Sequence, residues 1–306
     1  MNFILLPYLL AVRLPDNENG WKNGPEYTFN ATVCTYFEPG SSPSDESKAT
    51  ENVFTGTTLK TNMKCRPKEP NELHCHFEDT MIANLTTKTS YAELADGQLQ
   101  MAANYTTFDF GNNSFEIKFN EDGIESYKFN VVPEPDDYTA TMYKLIAGHL
   151  NLWSKIDTVK RIKRIEMTSV GGCPVTYDVE TTKPENKTMD GPFVITKPLN
   201  VDMTEELEIK KQVHLDECSP QATHIFGSRH TYGIIPDDST LKLQSSKGRV
   251  SISSHNFIST TCNKFYAYDL NKTMIGTLRD LIHLTFDNVE PVKKELRTLP
   301  NLSTLA

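Results

Sequence analysis

The stretch Phe115-Glu-Ile-Lys-Phe-Asn-Glu-Asp-Gly-Ile-Glu-Ser-Tyr-Lys-Phe-Asn-Val131, continued by Met142-Tyr-Lys-Leu-Ile-Ala-Gly-His-Leu-Asn-Leu-Trp153, decides how the chain folds. Phe115 to Phe119 alternates apolar and polar residues, the period of a strand with one buried face. Glu121-Asp122-Gly123 is turn chemistry, because glycine takes positive φ without steric cost. Ile124 to Val131 returns as a second strand, with Tyr127, Phe129 and Val131 on one face. Pro133 and Pro135 stop the sheet, since neither can donate to a ladder. The period then changes. Met142, Leu145, Ile146, His149, Leu150 and Trp153 step by three and four and stack on one helical face, which Ala147 and Leu152 widen. So apolar a helix needs a cover, and most of the remaining chain reads as strand. The expectation is a mainly β protein whose curved antiparallel sheet wraps around one helix.

The surrounding chain supplies that sheet. Gly24–Cys34, Val53–Cys65, Leu73–Leu85, Arg164–Val170, Cys173–Glu180 and Glu205–Leu215 all read as strands. So do His230–Ile235, Leu241–Gln244, Arg249–Ser253 and Lys264–Leu270, as in antiparallel meanders or barrels. Residues 37–51 and 181–192 read as polar loops, and Ser90–Ala95 as a short helix ended by Asp96-Gly97. From Met274 the texture changes, and Leu278, Leu281, Ile282 and Leu284 fit helix or strand.

At 306 residues the chain can bury a large core, and its 23% charged and 38% hydrophobic residues are those of a globular protein. A net charge of −9 gives no overall bias toward nucleic acid. No run approaches the roughly 20 apolar residues of a membrane helix. Met1 to Ala11 is almost wholly apolar and fits the core of a secretory signal within a lead of residues 1–19, although no basic residue precedes it and Pro7 interrupts it. Glycosylation sequons at Asn30, Asn84, Asn104, Asn112, Asn186, Asn271 and Asn301 agree with a secreted, extracellular protein.

Six cysteines, Cys34, Cys65, Cys75, Cys173, Cys218 and Cys262, then read as disulfides of open connectivity. Cys65 and Cys75 flank a turn-rich linker and face each other if their strands form a hairpin. His74-Cys75-His76 suggests a metal only superficially, because alternation turns both histidines away from Cys75. No catalytic signature occurs: no nucleophile elbow, H-E-x-x-H or phosphate loop. The expectation is a non-catalytic binding or carrier protein with no cofactor. The basic run Lys160, Arg161, Lys163 and Arg164 has three readings, a solvated turn, a partner-binding patch and a processing site.

Several segments resemble the N-terminal domain of vitellogenins and related large lipid transfer proteins. Trp21, Gly24 and Tyr27-Thr-Phe resemble the family's opening strand. Phe115 to Ile124 followed by Met142 to Leu150 resembles its hairpin and helix. Val170-Gly-Gly-Cys-Pro-Val-Thr-Tyr177, Ile209-Lys-Lys, Cys218, His230-Thr-Tyr-Gly233 and Ser245-Ser-Lys-Gly-Arg249 follow in the family's order. Departures lie at Asn151-Leu-Trp153, where the family commonly has Leu-Gln, and at Cys34, Cys65, Cys75 and Cys262. The resemblance implies an antiparallel β-barrel wrapped around a central helix, similar to the N-sheet of lipovitellin, over residues 20–273. Residues 274–306 would be a tail leading toward a helical domain. It also implies a Cys173–Cys218 disulfide, with Cys65–Cys75 and Cys34–Cys262 expected for the others. Participation in extracellular lipid transport or yolk delivery is implied, with lipid held only where the remaining family domains are present. The barrel would then dock an LDL-receptor-type module through Lys160, Arg161, Lys163, Arg164, Lys210 and Lys211. The alternative is a stand-alone secreted interaction module without lipid.

Overall fold

The computed structural model describes residues 3–6, 10–13, 23–40, 54–68, 71–87, 104–109, 114–130, 137–152, 160–168, 171–182, 194–196, 206–219, 235, 239–253, 256–293, 295–296 and 302–305. The expected helix at 90–95, the loops at 41–51 and 183–192, most of the strand at 230–235, Trp21 and Trp153 lie outside them.

Two short strands, β1 (Phe3–Leu6) and β2 (Leu10–Arg13), precede three long ones, β3 (Pro25–Pro39), β4 (Phe54–Lys68) and β5 (Glu72–Thr87). β6 (Thr106–Thr107), β7 (Phe115–Asn120) and β8 (Gly123–Asn130) lead to helix α1 (Asp137–Ala147) and a 3-10 turn at Gly148–Leu150. Then come β9 (Arg161–Thr168), β10 (Gly171–Thr182), β11 (Val194–Thr196) and β12 (Glu206–Val213). A 3-10 turn at Leu215–Glu217 precedes β13 (Thr240–Ile252), β14 (Phe257–Tyr268), β15 (Met274–Pro291) and β16 (Leu302–Leu305). All the pairings are antiparallel. β1, β2 and β11 form a small sheet, so the N-terminal apolar run expected in a signal contributes strands here.

The large sheet runs in the order β16-β8-β7-β5-β4-β3-β15-β14-β13-β12-β10-β9, with β6 beside β5. It is open. Among the described residues nothing pairs the free edge of β9 with the β8–β16 end, so the closed barrel expected from the sequence is not formed. The sheet nevertheless curls. One hydrophobic cluster contains Phe115, Ile117 and Phe129 from one end, Val175, Tyr177 and Ile209 from the other, and Met142, Tyr143, Leu145 and Ile146 of α1 between them.

The helix plugs the concave side, as its apolar stripe demands. Tyr143 is fully buried, with its ring centroid 4.7 Å from Phe77, 5.1 Å from Phe115 and 6.2 Å from Phe129. Such aromatic pairs contribute about 0.5–1.5 kcal/mol each beyond their buried area. On the far side His149 meets Ser259 of β14 at 2.9 Å. Burial holds the His149 ring far down, at about 3, with Lys211 and His283 adding to the effect, so it packs as a neutral ring.

Two expectations need correction. Met274–Pro291 is no tail: it is an 18-residue strand between β14 and β3, so the sheet does not end at 273. Its buried face carries Leu278, Asp280, Ile282, Leu284 and Phe286, and the carboxyl of Asp280 hides the alternation. Cys34 and Cys262 are not joined, because Leu281 of β15 is paired to each and separates them. Two strand spacings are about 9.6 Å, beyond the ~7 Å Cα separation a disulfide spans. The other two bridges are present. Cys65 and Cys75 lie directly opposite in the β4–β5 register, and Cys173 bonds Cys218.

Candidate partner-binding face

The basic segment is strand, not turn. β9 is the edge strand beside β10, with Arg161 opposite Asp178, Lys163 opposite Thr176 and Arg164 opposite Val175. β10 continues the rows into β12, placing Asp178 beside Lys210 and Tyr177 beside Lys211, and β12 pairs Lys210 with Arg249 of β13. Since alternate residues face opposite ways, this register sorts the six expected receptor-binding cations between two faces.

Four face outward. Arg161 contacts Asp178 at 3.3 Å, and Lys163 contacts Glu217 at 2.6 Å. Lys210 lies 3.0 Å from Glu180 and 3.5 Å from Glu208. Lys160 is exposed at the start of the strand. The register adds two cations: Arg249, 2.8 Å from Glu208, and exposed Lys247. Their signal was visible in Ser245-Ser-Lys-Gly-Arg249. The result is a ladder of ion pairs spread across four strands, in which Glu208 lies between Lys210 and Arg249. Lys160 and Lys247 form no ion pair among the described residues. Ile165, beside Lys163 on the same face, is 80% exposed. Exposed ion pairs of this kind hold their partners weakly and exchange them readily.

The other two face inward and are structural. The Lys211 ammonium donates to the Asn151 carbonyl at 2.7 Å and to Glu166 Oε1 at 3.2 Å, and lies 5.2 Å from the centre of the Tyr177 ring. Asn151 Nδ2 also donates to Glu166 at 3.0 Å, while its Oδ1 accepts the Ile124 N–H at 2.8 Å. The Tyr177 hydroxyl donates to Glu166 Oε2; burial, foremost, and the nearby Glu166 charge hold its pKa well above the ordinary phenol value. Arg164 pairs with Asp122 in the β7–β8 turn. Together these groups clasp the hairpin to β9, β10 and β12, bridging ends that no strand pairing joins. Asn151 and Glu166 were not anticipated. Asn151 was visible only as a departure from the family pattern.

The sequon asparagines Asn30, Asn84, Asn104 and Asn271 are exposed, and Asn112, Asn186 and Asn301 lie outside the described residues. His74 and His76 point away from the Cys65–Cys75 bridge. His74 lies 3.7 Å from Glu116, and burial holds its pKa below the ordinary value. No helix among the described residues is long and apolar enough to cross a membrane.

Comparison with known proteins agrees with this architecture. The vitellogenin N-terminal domain family model matches residues 26–265. The chain belongs to the vitellogenin N-terminal domain family. A solved structure described as lipid–protein interactions in lipovitellin superposes with a TM-score of 0.57 at 10% identity, covering 92% of this chain and 27% of that one. At that identity the likeness speaks for the fold alone. No curated protein sequence matches the chain. In this vitellogenin N-terminal domain the match runs from the second residue of β3 into β14, so it spans the helix plug, the clasp and the charged ladder together.

Proposed function

We propose that this vitellogenin N-terminal domain is a non-catalytic module of a secreted, glycosylated carrier that takes part in extracellular lipid transport or yolk delivery. The observation that carries the reading is the family match over residues 26–265, and the lipovitellin-like fold agrees with it. The concave side is filled by Tyr143, Met142, Ile146 and their aromatic neighbours, so the module's own work is assigned to its outer surface. Exposure of all four described sequon asparagines favours a glycosylated secreted chain.

On that surface the face of β9, β10, β12 and β13 docks an acidic, LDL-receptor-type module. The partner's carboxylates displace Asp178, Glu180, Glu208 and Glu217 from cations that hold them loosely, an exchange that costs little and gives specificity. The test combines Lys160→Ala, Arg161→Ala, Lys163→Ala and Lys210→Ala, and measures binding to a calcium-loaded receptor repeat against salt concentration. Weaker binding with a flatter salt dependence is expected, and unchanged binding overturns the assignment. Native mass spectrometry of the secreted protein distinguishes a carrier from a lipid-free interaction module, the reading that the filled interior would otherwise favour.

A further inference from the structure

A polar row crosses the buried face of the sheet, between the cluster around α1 and a second apolar cluster of Phe37, Phe265, Ala267 and Leu278. In register it reads Thr57 on β4, Thr35 on β3, Asp280 on β15, Asn263 on β14 and Ser246 on β13. All five are at most 4% exposed, and Asp280 is fully buried. Asp280 Oδ1 accepts a hydrogen bond from Thr35 Oγ1 at 2.6 Å. Among the described residues its other oxygen, Oδ2, has no hydrogen-bond partner, and neither does Oδ1 of Asn263, the residue directly opposite. Directly opposite side chains have Cβ atoms about 4.5–5.5 Å apart, within reach of one hydrogen bond. Two buried oxygens on directly opposite residues, neither with a hydrogen to accept, are costly.

We propose that Asp280 is a protonated carboxylic acid whose O–H donates to the Asn263 side-chain carbonyl, making a proton-dependent latch between β14 and β15. One proton satisfies both orphaned oxygens. Burial raises the Asp280 pKa to about 7, against which the Thr35 hydrogen bond works in the opposite direction. Among the described residues, those beside it in the register bring no charge. Thr35, Phe37 and Val33 on β3 and Thr261, Asn263 and Phe265 on β14 carry none, and Leu278 and Ile282 flank it on its own strand. Arg279 points to the other face, 3.8 Å from Glu38. The Cys34 thiol, on that other face too, is pushed up to about 12 by burial and by the Asp280 charge.

The sign follows from linkage. Between the ordinary aspartate value and about 7 the folded protein holds a proton that the unfolded chain has released. Stability is therefore lost as pH rises through that window and levels off above it. The buried histidines act oppositely. His149, His283 and His74 all have lowered pKa values, so their contribution is lost as pH falls. Acid tightening is thus a signature of the latch.

The experiment measures the folding equilibrium of the full chain by denaturant titration from about pH 8 down to about pH 5, for wild type and Asp280→Asn, whose amide donates to Asn263 at every pH. The Asp280 contribution should be about tenfold per pH unit below 7, so wild type gains on Asp280→Asn by that factor as pH falls. At about pH 8 Asp280→Asn should be the more stable of the two. Parallel curves for the two proteins overturn the proposal. Should Asp280→Asn fail to fold, carbon-13 NMR of the wild-type aspartate and glutamate carboxyls still decides it. The displaced carboxyls Glu72, Glu78 and Glu217 are lowered, whereas Asp280 is raised. A carboxyl resonance titrating near 7 supports the latch. Its absence shows the Asn263 amide turned to donate to an ionised Asp280, and overturns it.

Discussion

Gly123 holds one corner of the molecule by what it lacks. Its φ is +114°, and a Cβ there would lie 2.1 Å from Asn151 Oδ1, the oxygen that accepts the Ile124 N–H. Gly123→Ala therefore strains the turn and breaks the hairpin's hold on the clasp, and should cost about 2 kcal/mol or more in urea denaturation. Lys210 and Lys211 make a sharper comparison. Adjacent in sequence, they point to opposite faces. Lys211→Ala leaves Glu166, whose side chain is 12% exposed, without its cation and should destabilise the domain by about 3 kcal/mol. Lys210→Ala removes surface pairs of a half-exposed lysine and leaves Glu208 its Arg249 partner, so it should leave the denaturation midpoint nearly unchanged. Equal effects of the two changes would show that the β10–β12 register is different.

Helix α1 is the element on which the sheet depends, because its Tyr138, Met142, Tyr143, Leu145 and Ile146 join the one cluster that strands from both ends of the sheet line. Leu145→Asp or Ile146→Asp places an unpaired carboxyl among Phe and Leu side chains and should cost more than about 4 kcal/mol, leaving the domain unfolded by circular dichroism and protease sensitivity. A soluble, folded variant would place the helix outside the core. The helix was legible because its stripe and the flanking strand periods are local properties of the backbone. Its end was less so: the last turn tightens to 3-10 at Gly148–Leu150 and delivers Asn151 to Ile124 and Glu166, partners far away in sequence. β13 reads as two strands in the sequence, since the register shift between Leu243 and Ser245 interrupts its alternation. β15 reads as a tail in the sequence, because the buried carboxyl of Asp280 breaks its pattern of apolar residues.

At the scale of the whole molecule, an open sheet is held curled by a helix in its concavity and by a polar clasp at its seam. That arrangement leaves the interior to packing and the outer ladder of β9, β10, β12 and β13 exposed. The sequence by itself determined the strands with clean alternation, the glycine turn at 123 and the apolar helix, because each depends on neighbours a few residues away. The cysteine pairs 65–75 and 173–218 also follow the expectation formed from it. Tertiary structure alone decided that Lys211 and Arg164 turn inward, that β9 ends the sheet, that Leu281 keeps Cys34 from Cys262, and that Asp280 meets Asn263. Alternation divides residues between two faces, but the neighbours that meet each face are set by strand order and register. Those come from contacts between residues up to 269 positions apart, as from Asn23 to Val292, and no short stretch of sequence encodes them.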